Sequence, residues 1–94
     1  MKIIWTPAAA QDRADIWDYL HDLNPTAAVE MDNRFADAIV RLRDFPEIGP
    51  AGIISGTREL IPHQNYRVVY QLDSDAVWIL ALVHTSRQWP PTER

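Results

Sequence analysis

Residues 76–83 read Ala-Val-Trp-Ile-Leu-Ala-Leu-Val, apolar at all eight positions. A strand at the edge of a sheet, or one with a face in water, alternates apolar and polar side chains. A short run that is apolar on both faces reads as a central strand. The rest of the chain must therefore supply neighbours for it. One precedes it directly: Tyr66-Arg67-Val68-Val69-Tyr70 starts a strand over about 66–72, and Asp73-Ser74-Asp75 is a tight polar turn between the two. A further strand is expected over about 57–61.

The first half of the chain has a different period. Lys2-Ile3-Ile4-Trp5 reads as a short strand, and Thr6-Pro7 offers a helix N-cap followed by proline in the first turn. Ala9, Ile16, Trp17, Leu20 and Leu23 then recur at helical spacing, with Asp12, Asp15, Asp18 and Asp22 toward water. Asn24-Pro25 repeats the start signal, and Ala28, Met31, Phe35, Ala38, Ile39, Leu42 and Phe45 mark the inner face of a second helix. The connection is very short, which predicts an antiparallel helical hairpin. The segment from Phe45 to Gly56 is rich in proline and glycine and reads as loop. The predicted architecture is α+β in a single domain, 1–94: an N-terminal strand, then a helical hairpin packed on one face of a small, mostly antiparallel sheet with three C-terminal strands.

Arg67 interrupts an otherwise apolar strand. A guanidinium in the middle of a sheet costs several kcal/mol, roughly 2 or more, unless it is paired or opens to a cleft. Its partner is either an anionic ligand or an internal carboxylate, for which Glu59, Asp73 and Asp75 are the candidates. If Ser74-Asp75 are the central turn residues, Arg67 lies opposite Leu82 and shares a face with Val69, Gln71, Leu80 and His84. If Pro62–Asn65 form the preceding turn, Arg58 opposes Val69 and joins that face. The expectation is then a cationic surface of Arg58, Arg67 and His84, left open while Tyr66, Val68, Tyr70, Leu72, Val77, Ile79, Ala81 and Val83 pack on the helices. A one-residue slip would send Arg58 to the other side.

Charge and composition limit the classes of function. The net charge of −4 comes from the first half, where residues 1–47 hold nine acids and five bases, against four of each in residues 48–94. An anion-binding surface therefore belongs in the second half, and tight non-specific binding to nucleic acid is disfavoured. There is no cysteine, no apolar run near the 18–20 residues that cross a membrane, and no leader before Lys2, so a cytoplasmic protein is expected. His21, His63 and His84 lack ligand spacing, and no glycine-rich phosphate loop occurs, so neither a metal nor a cofactor is expected.

Three segments resemble the recurring C-terminal pattern of the RelE/ParE superfamily of bacterial type II toxins: Gly56-Thr57-Arg58-Glu59-Leu60, Tyr66-Arg67-Val68-Val69-Tyr70 and Val83-His84-Thr85-Ser86-Arg87. The order of strand, helical hairpin and three strands resembles the same superfamily. The resemblance implies a small cytoplasmic toxin, encoded with an antitoxin whose disordered arm wraps it. It implies one of two activities. RelE-like members are mRNA endonucleases that act in the ribosomal A site, and ParE-like members inhibit DNA gyrase without hydrolysis. A member that only binds its antitoxin is a third possibility. For the endonuclease, which is the leading expectation, Arg67, His84 and Arg87 are the catalytic candidates. Arg58 and Trp89 are the substrate-binding ones. The arginines would hold the phosphate, His84 would move a proton, and Trp89 would stack on an unpaired base. In place of the lysine cluster and C-terminal tyrosine usual in RelE-type chains, this one has a single lysine, Lys2, and Trp89.

Overall fold

In the computed structural model the described part of the chain is residues 1–90; the last four positions of the expected 1–94 domain lie outside it. The elements are β1 (Lys2–Trp5), α1 (Pro7–Leu23), α2 (Pro25–Val40), a short 3-10 turn (Arg41–Arg43), β2 (Thr57–His63), β3 (Tyr66–Leu72) and β4 (Ala76–His84). They form one four-stranded sheet in the order β1-β4-β3-β2. β1 runs parallel to β4, while the β4–β3 and β3–β2 pairs are antiparallel. The apolar run 76–83 is thus a central strand, as its composition demands.

Both helices start where their caps predict. The Thr6 side chain accepts from the Ala9 amide, and the Asn24 side chain from Thr26 and Ala27, each with proline in the first helical turn. The hairpin covers one face of the sheet. Ala9, Met31, Phe35, Ile39 and Leu42 meet Tyr66, Val68, Tyr70, Val77, Ile79 and Leu82 in the main core. Two aromatic residues expected on the inner faces lie outside it. Trp17 is 36% exposed and stacks on His21, because Ile16 and Leu20 already occupy the side of α1 that meets the core. Phe45 is 62% exposed: the helix tightens to a 3-10 turn after Val40, and the residue before Pro46 is pushed out of helical geometry.

Register departs from expectation at two places. β2 continues through Pro62 to His63, so only Gln64 and Asn65 make the turn and His63 faces Tyr66. An irregularity between Leu60 and His63 accompanies this, and Arg58 pairs with Tyr70 while Glu59 pairs with Val69. In β4, a bulge at Leu80 shifts the pairing from Tyr70↔Ile79 to Val69↔Ala81, so that Arg67 faces Val83 and Tyr66 faces His84. Each bulge exchanges the two faces beyond it. Ala81 and Val83, expected beneath the helices, instead form a small second core with Val69 on the opposite side, with Leu80 and Trp89 against them.

The loop between α2 and β2 is held to the sheet by side chains. The buried Tyr70 hydroxyl donates to the Pro46 carbonyl at 2.8 Å and accepts from the Gly49 amide at 2.9 Å. A Cβ at Gly49 would come within 2.8 Å of both that hydroxyl and the Glu59 carbonyl, so only glycine fits there. Tyr70→Phe leaves a buried carbonyl and amide unpaired and is expected to cost about 1–3 kcal/mol. Urea denaturation checks this, as a lower midpoint with an unchanged slope.

Candidate functional site

The five residues proposed from the sequence fall into three environments. Arg67 lies on the face away from the helices and is not open: its Nη1 is 3.0 Å from Glu59 Oε1, and the two side chains are only 20% and 12% exposed. Of the carboxylate partners considered, Glu59 is the one used, because the β2 register places it beside Val69 on the same face as Arg67. Its other oxygen accepts from the Ile53 amide at 3.1 Å.

Arg58 is on the opposite face, paired with Tyr70, and its Nη1 donates to the carbonyls of Glu47 (3.0 Å) and Gly49 (2.7 Å). It holds the same loop as Tyr70. The expected shared surface of Arg58, Arg67 and His84 is therefore not formed: the two bulges put Arg58 and His84 on the side away from Arg67.

His84, Arg87 and Trp89 do come together, at the edge of β4 that the described residues leave unpaired. Here β1 ends at Trp5, opposite Ile79, while β4 runs on to His84. A groove of about 590 Å³ opens between this edge, α1 and residues 86–89. His84 meets Tyr66 edge-on at 5.1 Å, and Tyr66 meets Phe35 in the same way at 5.6 Å. The His84 Nδ1 accepts from the Ser86 amide at 3.1 Å and lies 2.6 Å from the Ser86 hydroxyl. That amide fixes Nδ1 as an acceptor, so the neutral ring carries its proton on Nε2 and presents a donor there. Arg87 is exposed at the groove mouth. Trp89 packs on the second core, and its indole N–H is buried without an acceptor among the described residues, as is the Nε of Arg67.

Sequence reasoning missed three groups in the groove. Asp12, taken for part of a solvated face, turns inward, and its Oδ2 accepts from the Leu82 amide at 3.0 Å. Burial pushes its carboxyl above the ordinary range and Asp15 adds to this, while the Leu82 amide and Arg87 pull the other way. Tyr66, read as a packing residue, also lines the groove; burial raises its phenol, the nearby Tyr19 adds to the rise, and Arg87 opposes it. Tyr19 stands exposed on the α1 wall. The one signal available was length: a four-residue β1 cannot cover a nine-residue β4. Among the described residues no three His, Asp or Glu side chains group as a metal site requires, and no helix is long and apolar enough to cross a membrane.

Comparison with known proteins adds family to geometry. The family model "ParE toxin of type II toxin-antitoxin system, parDE" matches residues 3–89. The chain is 33% identical over 90 residues to the putative toxin Y4kP of Sinorhizobium fredii, covering 95% of this chain and 93% of the relative. It is 30% identical over 86 residues to toxin RelE2 of Caulobacter vibrioides, covering 92% and 97%. Its fold is similar to that of a chain of the chromosomal ParDE TA system from P. aeruginosa, with a TM-score of 0.79 at 20% identity, over 89% of this chain and 95% of the other.

The raised Asp12 carboxyl gives a pH prediction. A carboxyl whose folded value lies above its unfolded value near 4 binds more protons in the native state. Its contribution is present below about 4 and lost as pH rises through the higher folded value. Asp12→Asn keeps an oxygen for the Leu82 amide and removes the charge. Denaturation midpoints measured from pH 3 upward are expected to fall less steeply for this variant than for the parent chain.

Proposed function

The chain belongs to the ParE toxin family of type II toxin–antitoxin systems, within the RelE/ParE superfamily, and on that premise we propose that it arrests growth by binding its target, as a ParE-like inhibitor of DNA gyrase, without cutting RNA. Membership in a toxin family of this kind implies a cognate antitoxin as partner.

One observation carries the choice: the guanidinium of Arg67 is consumed by Glu59. In-line cleavage of RNA by the 2′-hydroxyl needs a base, an acid and cations that stabilise the charged phosphorane, all within reach of one phosphate. Here Arg67 is neutralised on one face, Arg58 is bound to loop carbonyls on the other, and His84 uses its acceptor nitrogen on Ser86. A phosphate at Arg67 would first have to displace an internal carboxylate. A toxin that works by surface contact needs no such constellation.

A second reading has its own support. The groove beside β4 gathers Tyr66, His84, Arg87 and Trp89, aromatic and cationic groups of the kind a ribosome-dependent mRNA endonuclease would use. Controlled induction in a bacterial host separates the two. The gyrase reading expects replication to stop with DNA breakage while messages stay intact, and Arg67→Ala and His84→Ala, if folded, to remain toxic. Messages cut on ribosomes, with cleavage lost in those variants, would replace it by the endonuclease reading. Absence of arrest would leave antitoxin binding as the remaining activity.

A further inference from the structure

The chain between α2 and β2 runs back along the outer edge of β2 as an unfinished strand. The Glu59 amide donates to the Pro50 carbonyl at 3.0 Å, Ala51 bridges Arg58, and the Gly52 amide donates to the Thr57 carbonyl at 2.8 Å. The same antiparallel register, carried two residues further, sets Ile48 beside Ile61. Both are exposed, and both line a shallow recess with Ala38, Arg41, Leu60 and Pro62. On β2, Ile61 and Pro62 lie between the Leu60↔Val68 and His63↔Tyr66 pairs and together oppose Arg67 alone. This bulge at the sheet edge leaves the Ile61 side chain turned outward.

Exposed apolar side chains scattered singly need no explanation. These are gathered: of the eleven large hydrophobic residues exposed in the described chain, six lie between Val40 and Ile61. The backbone that carries them is also held. Tyr70 and Arg58 bind Pro46, Glu47 and Gly49 from one face of the sheet, and Glu59 binds Ile53 from the other. A segment fixed at so many points, with its isoleucines in water, is a surface set in advance of a partner. Such pre-organisation lowers the ordering cost of binding.

Size and charge narrow the occupant. The recess is about 100 Å³, well below the roughly 300 Å³ at which small-molecule sites begin, so it takes one aliphatic side chain. Arg41 is its one charged lining residue and has no ion pair among the described residues. The occupant therefore brings an apolar side chain with a carboxylate next to it. A second copy of this chain, meeting the recess across a two-fold axis, would bring another Arg41 instead. A disordered arm shapes itself to its surface and needs none fixed beforehand. A folded target does.

We infer that Ile48 and Ile61, around this recess and with Arg41 at its rim, form the surface through which the chain grips gyrase, closing on a projecting aliphatic side chain of the enzyme beside a carboxylate. The inference rests on the gyrase reading and adds to it the place and the chemistry of the contact. It puts the inhibitory contact at the β2 edge, across the sheet from the groove at β4.

The test uses the full chain with purified gyrase, and reads both binding and inhibition of supercoiling. Ile48→Ser and Ile61→Thr are each expected to weaken binding about tenfold or more, and Arg41→Glu roughly tenfold, with Arg41→Lys close to the parent. Leu23→Ser, as exposed as Ile61 but at the end of α1, leaves binding unaltered. Urea midpoints equal to the parent's show that each variant is folded. Parent-level binding by Ile48→Ser and Ile61→Thr overturns the inference and leaves the gyrase reading standing. A dimer of the chain alone that these substitutions dissociate assigns the patch to a second copy, and overturns it too. A parent chain that does not bind gyrase overturns both, and shows as such before any variant is made.

Discussion

Strand β4 has nine residues and its parallel neighbour β1 has four, and much else in the molecule answers to that difference. A central strand half covered on one side has backbone groups that something else must satisfy. The chain solves this locally: where β1 stops, Thr6 both caps α1 and bonds the last paired carbonyl, and nearly two helical turns later Asp12 reaches the next outward amide. The helix is thereby fixed against the sheet edge by polar contacts as well as by the core. The groove exists because these contacts are side-chain substitutes for a strand and leave the space of a strand beside them.

The elements of this fold were legible in the sequence because each rests on a local rule. Thr6-Pro7 and Asn24-Pro25 start helices, Asp73-Ser74-Asp75 closes a hairpin with Asp73 accepting from the Asp75 and Ala76 amides, and 76–83 is central because it is apolar throughout. The faces were less legible. Side-chain direction has a period of two, so one extra residue reverses it. The bulge at Leu80 has no local marker, since one more leucine in an apolar run changes no pattern. Pro62 does mark a break, but it fits a turn as well as an irregular edge strand. The Arg67–Glu59 pair was among the partners the sequence allowed, and the separation of Arg58 from Arg67 is the one-residue slip it also allowed; the separation of His84 follows from the unmarked bulge at Leu80.

Part of this protein's cationic charge is used internally. Arg13 is bidentate on Asp32, which raises its pKa further and removes it from service, and Arg67 is joined to Glu59 while Arg58 serves two carbonyls. Three of the nine basic residues are thus structural, in a chain whose net charge is already −4. A surface that grips a nucleic-acid backbone gains affinity from each free cation that replaces counterions. This chain has spent cations on its own loops and helices, which suits recognition of a protein better than recognition of a phosphate chain.

Glu59 is where the loop and the sheet face meet. It stands one residue from Arg58 in β2, so the two side chains leave on opposite faces, and both hold the same loop: Arg58 through Glu47 and Gly49, Glu59 through Ile53. Tyr70, paired with Arg58, completes the hold. Arg67 is drawn into this arrangement only through Glu59. An arginine at this point of the sheet can therefore serve as an anion site or as the last member of a loop clamp, and a single carboxylate on the neighbouring strand decides which. A shared fold carries no activity of its own, and the chemistry lies in such local pairings. In this chain the pairing closes the sheet face and leaves the β4 edge as the surface with groups to offer.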